Sequence, residues 1–380
     1  MNTTGTPSPA PTATPLRTSI TPGQPWLDTN GQLIQAHGGS ILHVDGVFYW
    51  YGENKEHTTG GTDVWHWGVR CYRSSDLYNW EDCGVIIPPV LDDPDSPLHP
   101  AQKMDRPHII FNPKTGQYVC WLKVMQPDDT QKSTVLVAEQ LLGPYRIVRT
   151  NLQPLGMSAG DFDLVVDPSD GKAYFIFERV HSELIIADLT DDATNVTGYY
   201  STHFPHPHPP FVREAPAYFR RGHLHYLFTS GTTGYFPNPS EVAVATTYHG
   251  PWRVLGDPHP DDDSRTSYRS QICSVFRHPH KKDLYIALAD RWLGDRPVDA
   301  RKAALMFETA FASDTPSEHF RRYEQEDPEV FAMPDTSRAG YVWLPVRFDG
   351  EMAYLDWHDE WRIEDYQEAN SPEEGRPGGA

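Results

Sequence analysis

Three carboxylate-bearing strings each stand at the head of a strand-like stretch: Asp105-Arg106-Pro107-His108, Gly160-Asp161-Phe162-Asp163 and Arg213-Glu214-Ala215-Pro216. Two more polar strings hold the same place without a carboxylate, Gln35-Ala36-His37-Gly38-Gly39 and Ser270-Gln271. Carboxyl groups gathered from separate strands are the equipment of glycoside hydrolysis, where one acid protonates the leaving oxygen and a second group handles the water. Glu214 is the leading candidate for the acid. It stands between a cation and an apolar stretch. A general acid must hold its proton near neutral pH, which burial or a nearby carboxylate achieves. Arg213 would oppose this unless its side chain points away, and the plain alternative is an Arg–Glu pair on the surface.

The elements behind these strings repeat. A run of aromatic and β-branched residues after a turn appears at 46–51, 116–121, 171–176, 222–227 and 283–288. The spacing, roughly 50 to 70 residues, suits a four-stranded blade with its loops. Shorter strand-like stretches precede each run, at 40–44, 108–111, 164–167, 215–219 and 273–277, so each pair reads as a hairpin. Third strands follow at 135–139, 184–187 and 241–246, and a last hairpin at 341–348 and 352–357 completes the final unit. Long helical periodicity is not seen. The expectation is an all-β fold, a five-bladed β-propeller, with an irregular β-sandwich as the alternative. In a propeller the innermost strands converge on one axis, which would bring all five polar strings to one channel mouth.

Composition narrows the partners. A formal charge of −20 argues against nucleic acid, whose phosphates require clustered Lys and Arg. No apolar stretch is long enough to span a membrane. Residues 1–21, rich in Pro, Thr and Ser, lack the apolar region of a secretory signal and read as a disordered tail. Residues 370–380 read as a second tail, leaving 22–369 as the propeller catalytic domain, and the expected setting is cytoplasmic. Cys71, Cys83, Cys120 and Cys273 contain no CxxC pair. They read as reduced thiols, with a Cys71–Cys83 hairpin disulfide as the alternative. The tract from His203 to Pro209 alternates His with Pro and could be a metal tract, but reads better as an extended loop between the third and fourth units.

In order along the chain, the strings that carry a family resemblance are Gln35-Ala36-His37-Gly38-Gly39, Tyr49-Trp50-Tyr51-Gly52-Glu53 and Ser74-Ser75-Asp76-Leu77-Tyr78-Asn79-Trp80, then Asp105-Arg106-Pro107 and Arg213-Glu214-Ala215-Pro216. They continue with Thr229-Ser230-Gly231-Thr232-Thr233-Gly234-Tyr235, Ser270-Gln271, Asp290-Arg291-Trp292 and Tyr341-Val342-Trp343-Leu344-Pro345. The sequence resembles glycoside hydrolase family 43, and within it the exo-β-1,3-galactanase-like branch. The resemblance implies a five-bladed propeller and an inverting mechanism, and no cofactor or metal is expected. It places the general acid at Glu214 and the carboxylate that raises and orients that acid at Asp161. Most of the family carries an Asp base in the first unit, and here that string has no carboxylate. The branch shares this lack, and the resemblance gives the water to the glutamine at Gln271. Asp105 stands where the branch usually has Glu, and shares the candidacy.

Glu53 resembles a sugar-hydroxyl acceptor of the branch, and Thr232 and Gln35 could reach the same pocket. Sugars present apolar faces, so rim aromatics are expected among Tyr235, Trp292 and Trp67. His37 could hold a water or a metal, or be a satisfied buried histidine beside a glycine pair needed for close packing. The leading expectation is an exo-acting, inverting hydrolase releasing galactose from β-1,3-linked galactan or galacto-oligosaccharides. Two alternatives stay open: an α-L-arabinofuranosidase or β-xylosidase using Asp105 or Asp163 as base, and a non-catalytic sugar-binding propeller.

Overall fold

The computed structural model describes residues 15–294, 296–297, 299–328 and 334–369. Among the described residues, twenty strands form five four-stranded antiparallel sheets, each a simple meander. The first blade comprises β1 (His37–Val44), β2 (Val47–Glu53), β3 (Val69–Ser74) and β4 (Glu81–Ile87), and the second β5 (Lys103–Asn112), β6 (Gln117–Met125), β7 (Gln131–Ala138) and β8 (Arg146–Leu152). The third holds β9 (Ala159–Val166), β10 (Ala173–Arg179), β11 (Glu183–Leu189) and β12 (Val196–His203). The fourth holds β13 (Arg213–Arg221), β14 (Leu224–Gly231), β15 (Glu241–Ala245) and β16 (Arg253–Gly256), and the fifth β17 (Gln271–Arg277), β18 (Tyr285–Arg291), β19 (Gly340–Asp349) and β20 (Met352–Leu355). Each first strand contacts the first strands of both neighbouring blades, and β17 returns to β1. The fold is a five-bladed β-propeller.

The repeated aromatic runs are the second strands. A second strand is sandwiched between adjacent blades, so both of its faces are buried and its residues are apolar almost without interruption. Trp50 in β2, Trp121 in β6 and Phe175 in β10 are all essentially inaccessible, and Trp121 meets Phe175 across the interface of blades two and three at 4.6 Å.

The ring closes without mixing strands from the two ends of the propeller. Instead, the segment before β1 crosses to the fifth blade: Ile20 pairs with Trp361, and Trp26 packs on Trp50 and Trp343. Within the tail expected over 1–21, Ile20 is instead part of the fold. Ile20 is buried and apolar beneath a Pro- and Thr-rich composition that masks it. Residues 1–14 and 370–380 lie outside the described residues. The His203–Pro209 tract is the connection from β12 to β13, and all four cysteines are free thiols. Among the described residues no helix is long and apolar enough to cross a membrane.

One insertion departs from the all-β expectation. Between paired residues Arg291 and Gly340 of the fifth blade the chain forms two antiparallel-strand-interrupting helices, α1 (Ala300–Phe311) and α2 (Pro316–Glu326). Asp299 caps α1 by accepting from Lys302 N–H, and Ala303, Met306 and Ala310 form its buried stripe at helical spacing.

Candidate active site

In every blade the first strand carries one more residue than its partner near the point where it begins. The paired residues bracketing the extra one are His37/Glu53 and Ser40/Tyr51, Asp105/Lys123 and His108/Trp121, Ala159/Arg179 and Phe162/Phe177, Glu214/Ser230 and Ala217/Phe228, and Ile272/Ala289 and Ser274/Leu288. Such bulges re-aim side chains and terminate pairing. Here they turn the opening residues of four blades into one cavity of about 510 Å³, lined by Asp105, Asp161, Glu214 and Gln271, with Glu53 from the end of β2. Two bulges hold a non-glycine residue before proline at positive φ, Arg106 at 54° and Ala215 at 48°. Strain of this kind is kept where the surroundings fix it, and it clusters at functional sites.

Glu214 faces the cavity while Arg213 turns the other way, donating to the Thr229 hydroxyl at 2.9 Å and the Thr229 carbonyl at 2.8 Å. Successive residues on a strand point to opposite faces, so the cation that could have ionised Glu214 is removed from it. Burial, then the charges of Asp161 and Glu178, push the Glu214 carboxyl well above the usual carboxylate range. Asp161 behaves oppositely. Burial works to raise it, but Arg106 at 2.8 Å and Lys123 at 2.7 Å hold it at about 2. One carboxyl of the pair thus stays ionised and the other keeps its proton, the division an acid catalyst needs.

The Gln271 amide sits directly on the acid. Its oxygen accepts from Arg106 at 2.6 Å and from the Trp292 indole at 3.1 Å. Both partners are pure donors, which fixes the amide's orientation. Its nitrogen then donates to Glu214 and to the Ser230 hydroxyl, each at 3.1 Å. With all four positions taken, the amide orients Glu214 in this state. Asp105 is clamped by the Trp65 indole at 2.7 Å, Lys123 at 3.4 Å and Lys55 at 3.7 Å. Burial opposes its ionisation, but Lys123 and Lys55 prevail and lower its pKa. Glu53 accepts from the Arg106 backbone N–H at 2.9 Å and pairs with Lys55 at 2.8 Å. Burial outweighs Lys55 and raises it to about 7. Among the described residues no three His, Cys, Asp or Glu side chains converge to hold a metal ion.

Residues 35–298 match the family model of glycosyl hydrolases family 43. The chain belongs to this family. It is a glycoside hydrolase, and hydrolysis in family 43 inverts the anomeric centre. Among solved structures, it is similar to a family 43 β-1,3-galactosidase with TM-score 0.72 and 27% identity, covering 92% of this chain and 64% of that one. A second family 43 β-1,3-galactosidase, solved with galactodeoxynojirimycin, shows TM-score 0.71 and 28% identity over 90% of this chain and 100% of that one. An exo-β-1,3-galactanase from Clostridium thermocellum gives TM-score 0.68 and 25% identity over 90% and 66%. A search of curated proteins finds no match.

Of the residues expected at this family 43 site, Glu214, Asp161, Gln271, Asp105, Glu53, Thr232, Tyr235 and Trp292 line the cavity together. Gln35 and His37 do not. Gln35 is spent on the protein, donating to Ser337 O at 2.8 Å and accepting from Lys55 N–H at 3.2 Å. His37 is fully buried, donates to Asp290 at 3.0 Å and stacks on Tyr341. It is the satisfied core histidine, and the glycines beside it are required: a Cβ on Gly39 would lie 1.9 Å from Tyr51 O. Trp67 meets His57 outside the cavity, and Trp65 joins Trp292 in lining it. Asp163 is buried, accepting from the backbone of Leu164 and Tyr218, each at 2.8 Å. Sequence reasoning missed Lys55, Lys123 and Glu178, and also Phe307, Phe311 and Phe320 of the helical insertion, which wall the cavity. The apolar spacing of α1 was the available signal for Phe307 and Phe311; Phe320 lies in α2.

Proposed function

We propose that the protein releases galactose from the end of β-1,3-linked galactan or galacto-oligosaccharides, the linkage of an arabinogalactan backbone, with inversion. The observation that carries this reading is the glutamine, not a carboxylate, held against a protonated acid, with no carboxylate supplied by the first-blade string. The names of the similar structures, β-1,3-galactosidases and an exo-β-1,3-galactanase, support it. In the reaction Glu214 gives its proton to the glycosidic oxygen. Turning to that oxygen frees the Gln271 amide to hold the water, whose oxygen bonds the anomeric carbon as the bond to the leaving oxygen breaks; the proton the water sheds passes to solvent, and one from solvent restores Glu214. Asp161, kept anionic by Arg106 and Lys123, maintains the proton on Glu214. Asp105 and Glu53 hold sugar hydroxyls. The pentosidase alternative is disfavoured because Asp163 is committed to two backbone N–H groups and Asp105 is taken up with sugar hydroxyls.

The test is hydrolysis of β-1,3-, β-1,4- and β-1,6-galactobiose and of aryl arabinofuranoside and xyloside, by wild type, Glu214→Gln and Gln271→Ala. Cleavage of the β-1,3 compound alone is expected, with α-galactose as the first anomer seen by NMR. Both variants should lose about 10²- to 10⁴-fold in rate. Cleavage of the pentosides instead would refute the galactanase reading, and binding of sugars without any turnover would make the propeller a lectin.

A further inference from the structure

The helical insertion and one amide from the second blade lie outside everything the reaction above uses, yet both face its cavity. Gln131, the first residue of β7, is 7% exposed and lines the cavity. Its side-chain oxygen accepts no hydrogen bond from any described residue. Buried polar atoms are almost always paired, so an unpaired oxygen on a cavity-lining residue can take a ligand donor once its side chain turns toward the cavity. In the same cavity, α1 and α2 present an aromatic corner. Phe311 and Phe320 meet edge to face at 5.5 Å, and Phe307 closes on Phe320 at 5.2 Å.

The position of this corner relative to the acid decides its use. A general acid stands on the leaving-group side of the bond it protonates. Beside Glu214 is Glu178, which accepts from the His181 backbone N–H at 2.8 Å, and the His181 ring packs on Phe311 at 4.7 Å. The insertion therefore reaches across from blade five to blade three on the acid's flank. In the proposed reaction the ion-paired floor formed by Glu53, Asp105, Lys123 and Arg106 serves the sugar to be released. We infer that Gln131 and the Phe311–Phe320 corner form the subsite for the leaving sugar. The apolar face of a pyranose stacks on the rings, and one of its hydroxyls donates to the Gln131 oxygen. The family match ends at residue 298 and α1 begins at 300, so this wall lies beyond the matched region. The inference rests on the galactoside reading and makes these residues specificity-determining within it.

The test compares binding of galactose and β-1,3-galactobiose by calorimetry in the inactive Glu214→Gln protein, then with Gln131→Leu or Phe311→Leu added. Gln131→Leu keeps a side chain of similar bulk, and Phe311→Leu keeps an apolar one without the ring. The extra affinity of galactobiose over galactose should fall about tenfold in each, with galactose binding unchanged. Gln131→Glu, which keeps an acceptor, should retain more of it. An unchanged difference between the two sugars would overturn the assignment, as would an equal loss for both. Wild-type turnover of β-1,3-galactobiose separates the two ideas: if it is present and the difference is unchanged, only the subsite fails. If the wild type turns over no β-1,3-galactoside, the function and the subsite fall together.

Discussion

Around the cavity floor three carboxylates, Glu53, Asp105 and Asp161, interlock with three cations, Lys55, Lys123 and Arg106. Glu214 is the carboxyl left without a cation, and burial, then the charges of Asp161 and Glu178, favour its protonated form. Glu53, at about 7, is the group in this set that titrates near neutrality. If its carboxylate must be ionised to accept a sugar hydroxyl, kcat/KM should rise as pH passes through 7 and fall at the higher pH where Glu214 ionises. Initial rates against pH would show this, and Glu53→Gln should remove the low-pH limb. A limb of the same midpoint in the variant would assign it to another group. The carboxylates and Gln271 were legible in the sequence because they sit in short strings at fixed places in a repeat. Lys55 and Lys123 were not. A lone lysine near a strand end reads as a solvent-facing charge, and only the closing of the ring around it shows that it is buried.

At the level of strands, Asp163 joins β9 to β13 by taking two backbone N–H groups, one from its own strand and one from Tyr218. Asn can accept only one of them. Asp163→Asn should therefore cost about 1–3 kcal/mol for the donor left unpaired. Denaturant unfolding measures the loss, and kcat of the folded fraction should stay near wild type. A collapse of kcat at wild-type stability would instead give Asp163 a direct part in the chemistry. The blade count and the identity of the second strands could be read from the repeated aromatic runs, since burial on both faces leaves a strong compositional mark. The helical insertion escaped because its two helices are short, charged on their outer faces and set inside a sheet, between strands that pair directly. The fourth strands escaped for a related reason. They lie at the outer edge, and β8 and β12 are mostly exposed, so little apolar patterning marks them.

The whole ring is held shut by the segment preceding β1. Trp26 lies between Trp50 of blade one and Trp343 of blade five, and its indole donates to Tyr78 O at 3.1 Å. Trp26→Ala should cost about 3–5 kcal/mol, the range for a buried aromatic removed to alanine. Chemical denaturation would register it, and a loss under 1 kcal/mol would mean that the remaining contacts of this segment close the ring by themselves. Because the closure is a seam between two whole blades, each blade is a single unbroken run of polypeptide, and Ile20 and Trp361 already lie side by side across it. The order of blades along the chain is thus separable from their order around the axis. A cyclic permutation joining the chain near residues 20 and 361, and opened in any connection between blades, would deliver the same bulges to the same channel. What such a protein must inherit is the circle of neighbours, and the place where translation starts on that circle is arbitrary.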